Sequence, residues 1–205
     1  MKISQFIFIS FCFAFLIGCQ SKPGQNKENN QENTTEMKTD DPQSSSKSQP
    51  GVSFHEAALS GNLKAVSAHI ENSENVDPTN AEGNTPLMLA SFNGHTEVVK
   101  KLLESGANIN ASNNKNLNPL HFAASGSFPK TVELLLKNGA DVNATDDIEN
   151  FTPLMYAASE GNTEVVKILV KHNADISMVD VDGDNAETFA RQNNHNQIVE
   201  ILQNP

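Results

Sequence analysis

The tripeptide Thr85-Pro86-Leu87 returns as Asn118-Pro119-Leu120 and as Thr152-Pro153-Leu154, with the prolines 33 (119 − 86) and 34 (153 − 119) residues apart. A fixed period of this length argues against one deep nucleus. Each period is a supersecondary unit that hides its apolar face only by stacking on a neighbour. Function is then to be sought on a long shared surface rather than in a single pocket.

The columns of this register carry their own physics. Thr85, Asn118, Thr152 and Asn185 stand just before Pro86, Pro119, Pro153 and Ala186. Thr or Asn at an N-cap accepts an orphan amide, and Pro at the first helical position lacks one, so the column predicts helix starts. Gly61, Gly94, Gly161 and Asn194 form a second column, between the two helices of each unit, where a left-handed residue is needed. Ser127 interrupts that column and leaves the turn before Pro129 the least specified. Val98-Val99 with Leu102-Leu103, and Val165-Val166 with Leu169-Val170, give an i, i+1, i+4, i+5 stripe on the second helix.

One full copy runs through Gly83-Asn84-Thr85-Pro86-Leu87-Met88-Leu89-Ala90, Gly94-His95 and Gly106-Ala107-Asn108-Ile109-Asn110-Ala111. The next has Pro119-Leu120-His121-Phe122-Ala123-Ala124 and Gly139-Ala140-Asp141-Val142-Asn143-Ala144, and a third has Pro153-Leu154-Met155-Tyr156-Ala157-Ala158. This pattern resembles the ankyrin repeat. The resemblance implies an all-α repeat solenoid over 51–205, built of helix-turn-helix units joined by β-turn or hairpin loops. About five units are expected, near 53–78, 79–111, 112–144, 145–178 and 179–205. His69, where the next unit has Leu102, and Glu187, Thr188 and Arg191, where the fourth unit has Leu154, Met155 and Ala158, are read as polar end caps. The chain ends at Pro205, just after Leu202, which suggests an array complete at five units.

The first fifty residues are a different object. Lys2 precedes an apolar run from Phe6 to Ile17, too short for a bilayer span of roughly 20 residues, so 1–18 reads as a secretory signal. An ordinary signal peptide cut nearby and an uncleaved anchor are the alternatives. Leu16-Ile17-Gly18-Cys19 resembles the lipobox of bacterial lipoproteins, which implies that Cys19 becomes the lipidated first residue of the mature chain. Because Gln20 is not the Asp that retains many such proteins at the inner membrane, the periplasmic side of the outer membrane is the expected location. Cys12 leaves with the signal and lipid occupies Cys19, so neither of the two cysteines serves as a disulfide or nucleophile in the repeats. Residues 19–50 are polar and nearly without large apolar side chains beyond the lipidated Cys19, the composition of a disordered linker. Such a segment has a root-mean-square span of about 30 Å and could extend towards roughly 100 Å.

Chemistry-bearing motifs are missing from the pattern. There is no Gly-rich phosphate loop, metal-binding His-Glu-x-x-His or nucleophile elbow, and no cofactor is expected. His95 and His121 stand where the ankyrin pattern often has His for hydrogen bonds at turns and helix starts. Asp180-Val181-Asp182-Gly183-Asp184 places Gly fourth instead of sixth and Arg191 where a calcium loop needs a bidentate Glu, so a solvated hairpin tip is the plain reading. The net charge is −11, from 20 acidic and 9 basic residues between Gly51 and Pro205. A surface of that sign repels nucleic acid and anionic lipid and suits a basic protein partner, or is acidic only for solubility.

In ankyrin arrays the turn tips and first helices form the concave binding face. Carried over position by position, the resemblance makes the column Leu89, Phe122, Tyr156 and Phe189 a candidate set of partner anchors, with inter-repeat packing the alternative. Phe92 at a first-helix end, Ile148 and Phe151 on a tip, and the acidic tip residues Asp147, Glu149, Asp182 and Asp184 complete the set. A one-residue insertion between Asn143 and Thr152 should push that tip outward. Together these imply a monomeric, lipid-anchored interaction module without enzymatic activity, holding a periplasmic protein partner. Exported ankyrin proteins linked to catalase suggest a role in peroxide defence; an immunity-type inhibitor of a toxin or enzyme is the alternative.

Overall fold

The cap column starts helices. Oγ1 of Thr85 accepts the amide of Met88 at 3.3 Å and that of Thr152 accepts Met155 at 3.2 Å. Oδ1 of Asn118 accepts Leu120 and His121, and that of Asn185 accepts Thr188 at 3.0 Å. The computed structural model describes residues 51–72 and 75–205; the signal segment, Cys19 and the linker expected over 1–50 lie outside them.

Among the described residues there are five helix pairs and no strand. They are α1 (Phe54–Leu59) with α2 (Leu63–Asn72), α3 (Pro86–Phe92) with α4 (Thr96–Glu104), and α5 (Pro119–Ser125) with α6 (Pro129–Lys137). The fourth pair is α7 (Pro153–Ser159) with α8 (Thr163–Lys171), and the fifth is α9 (Ala186–Gln192) with α10 (Asn196–Gln203). First helices pack on neighbouring first helices, and second on second, which makes a two-row solenoid.

The turn between paired helices needs one residue at positive φ. Gly61, Gly94, Gly161 and Asn194 supply it at +72°, +66°, +78° and +62°. In the third unit Ser127 takes the same conformation at +59°, so the turn is kept where the glycine is lost. Gly126 stands beside it for a different reason. A Cβ there would lie 2.3 Å from the Phe128 ring and 3.2 Å from the Phe92 carbonyl oxygen, so the glycine is required by close approach. Phe128 also lies over Gly94, as His95 lies over Gly61 and His195 over Gly161. His95, Asn162 and His195 each bond a carbonyl of the preceding unit, at 3.0, 2.8 and 3.1 Å. Phe128, with no side-chain donor, offers only the face of its ring.

One apolar core runs through all five units. Leu87, Leu120 and Leu154 contribute from first helices, and Val98, Val99 and Leu102, Val132 and Leu135, Val165, Val166 and Leu169, and Ile198 and Leu202 from second helices. No unit could close this core alone, because its stripe is covered only by the next stripe. The ends are polar. At one end His69 stacks on Phe54 at 5.1 Å and bonds the Val52 carbonyl at 2.9 Å. At the other, Arg191 donates to Glu187 at 2.6 Å and Gln203 donates to the same oxygen at 2.9 Å. These partners hold the Glu187 carboxyl below its ordinary pKa, the bond from Arg191 being the main cause.

Candidate functional site

Each tip is tied to itself by one side chain. Asn80, Asn113, Asp146 and Asp180 occupy the same register, and their Oδ1 atoms accept amides of their own turns. Asp146 takes three, from Ile148, Glu149 and Phe151, at 2.9 to 3.3 Å. Asp180 takes Asp182 at 2.9 Å and Asp184 at 2.7 Å. The tips are then tied to one another. The amides of Asn114, Asp147 and Val181 donate to the carbonyls of Glu82, Lys115 and Glu149, each at 3.1 Å. One hydrogen-bonded rim thus runs from the second unit to the fifth.

The acidic edge is therefore smaller than the sequence suggests. Asp146 and Asp180 lie on the same tips, yet both are buried and their Oδ1 atoms are taken by turn amides. Asp147 and Asp182 stay exposed, while Glu149 and Asp184 are half-buried. A carboxylate inside a turn can satisfy amides or face a partner, and these two do the first.

Behind the rim lies a buried polar network. The Tyr156 hydroxyl donates to Oδ2 of Asp146 at 2.7 Å. Nδ1 of His121 lies 3.2 Å from the Asn118 amide nitrogen and 2.8 Å from Asn118 Oδ1, and Nε2 bonds the Phe151 carbonyl at 3.2 Å. Burial holds its pKa down at about 4, against weaker opposing effects from the Phe151 carbonyl and Asp146. His121 is thus a neutral linker between helix start and neighbouring tip, the kind of hydrogen-bonding role its place in the pattern implied.

The aromatic column lies largely beneath the surface. Leu89, Phe122 and Phe189 are 5, 9 and 4 % exposed. Phe122 meets Phe92 edge-on at 6.0 Å, while Phe151 bridges Tyr156 at 5.4 Å and Phe189 at 4.8 Å. These contacts are inter-repeat packing, one of the two roles open for this column. Phe92, Phe151 and Tyr156 are half-buried, with Phe92 and Tyr156 packed on the small cluster of Met88, Leu117 and Phe122.

The insertion falls at Ile148. Gly83, Asn116 and Gly183, the left-handed tip residues, follow their anchoring Asn or Asp by three positions, but Asn150 follows Asp146 by four. Ile148 is the residue set out by that longer tip, at 39 % exposure. Four further exposed aliphatics were not among the candidates, Val52 and Leu63 in the first unit and Val179 and Val181 on the fifth tip. The signal of the last two was present in the columns: Val179 replaces Thr79, Ser112 and Thr145, and Val181 replaces Ala81, Asn114 and Asp147.

Among the described residues no group of three or more His, Cys, Asp or Glu is placed to hold a metal ion, and no helix is long and apolar enough to cross a membrane. Residues 54–146 and 129–205 match the family model described as ankyrin repeats, three copies. A search of curated proteins finds no match.

Proposed function

We propose, from the premise that the chain belongs to the ankyrin-repeat family, that this protein-protein interaction module works in the bacterial cell envelope as a lipid-anchored holder of a periplasmic partner. The observation that carries the holding role is the rim itself. Consecutive tips joined by amide-to-carbonyl bonds at 3.1 Å form a prepared surface, so little ordering entropy is lost when a partner docks. Support for the location comes from Leu16-Ile17-Gly18-Cys19 after a short apolar segment. Lipid at Cys19 would fix the position, and a polar linker would give reach and raise the partner's effective concentration. The acidic balance of the repeats suits a basic partner and turns away nucleic acid.

Two measurements test this. Labelled fatty acid should enter the wild-type protein and not Cys19→Ser, and the variant should leave the membrane fraction; a variant that stays there unlabelled removes the lipid anchor. Capture from envelope extract should then return a partner whose own activity is assayed with and without this protein. Unchanged or raised activity supports holding, whereas loss of activity points to an inhibitor.

A further inference from the structure

We propose that the tips of the fourth and fifth units form the docking site for a cationic segment of the protein partner, with an apolar side chain of that segment seated on Ile148, Val179 and Val181. This rests on the interaction-module reading and adds where contact is made and what chemistry meets it. Single exposed aliphatics are ordinary on a protein surface, but these three gather on two tips that are bonded together. The Val181 amide donates to the carbonyl of Glu149, the residue following Ile148. Val179 and Val181 are 50 and 59 % exposed, so neither is required by the core. They also occupy columns that the other units fill with Thr, Ser, Asn, Asp or Ala. Asp180, between the two valines, is turned inward to the amides of Asp182 and Asp184.

Charge decides the occupant. Asp147 and Glu149 border Ile148, and Asp182 follows Val181. A second copy would bring the same carboxylates against these, in a chain already at −11. Like charges so placed oppose self-pairing, while Lys or Arg flanking an apolar residue complements both features of the ridge.

The probe is a short fluorescent peptide of alternating Lys and Leu, titrated by anisotropy into the full chain at physiological salt. Peptides of Lys and Ser at equal charge, and of Glu and Leu, are the comparisons. Saturable binding of the Lys-Leu peptide is expected, at least tenfold tighter than Lys-Ser and absent for Glu-Leu. Val179→Thr with Val181→Asn, residues that other units carry in these columns, should weaken it at least tenfold and leave the unfolding temperature unchanged. Equal affinity for Lys-Leu and Lys-Ser, or no effect of the double variant, would overturn the ridge as a docking site. So would a dimer in sedimentation that the double variant dissolves. Partner capture that survives the double variant would remove this ridge while leaving the interaction module standing.

Discussion

His121 makes the stability of this array dependent on acid, and replacing it by Gln isolates the effect. An unfolded chain binds a proton on this imidazole as pH falls through 6.5, whereas burial delays the same event in the folded chain to about 4. Over that window protons favour the unfolded state. The stabilisation is fully present above pH 6.5, declines as pH falls, and is lost once the folded pKa is passed. The gap between 6.5 and about 4 corresponds to roughly 3 kcal/mol at about 1.4 kcal/mol per pH unit. Gln can reproduce both bonds, accepting the Asn118 amide as capping-box residues do and donating towards the Phe151 carbonyl, but it does not titrate. Urea unfolding at intervals from pH 7 to pH 4 is the assay. Wild type and His121→Gln should differ little at pH 7, and wild type should lose about 3 kcal/mol more than the variant by pH 4. Glu160, whose pKa is raised by partial burial, acts in the opposite sense in both proteins and cancels in the difference. Parallel curves would refute the assignment of a neutral, buried His121.

Phe122→Ala should cost about 3 kcal/mol or more in urea unfolding, because the ring is buried against Phe92; a variant as stable as wild type would return this residue to the partner surface. Tyr156→Phe should cost about 1–3 kcal/mol by leaving Oδ2 of Asp146 without its hydroxyl donor, with a change below roughly 0.3 kcal/mol counting against the network. Gly126→Ala should destabilise by about 1–3 kcal/mol through its clash with Phe128, and pairing it with Phe128→Ala should recover part of that loss if the ring is the obstacle.

The caps and the turns were legible because they depend on neighbours in sequence. A Thr or Asn before Pro needs only its own helix start, and the period alone placed Thr85, Asn118, Thr152 and Asn185 correctly. Ser127 was harder. Its left-handed conformation occurs beside Phe128, which lies over Gly94 of the preceding unit, a contact that no local propensity encodes. The candidate surface was legible only in part, for the same reason. A column of aromatics states which residues repeat, but whether a ring faces solvent depends on how far the adjacent unit advances. Phe122 and Phe189 are covered by that advance, and Tyr156 is left half-exposed.

Local chemistry thus determined the repeating unit, its helices, its end caps and its acidic balance. The same local chemistry turns the Asp146 and Asp180 side chains inward, onto amides of their own tips. Stacking decided that Phe122 and Phe189 are covered and that Ile148, Val179 and Val181 stay exposed. Helix starts are short-range bargains between adjacent residues, whereas exposure is settled between units some 33 residues apart.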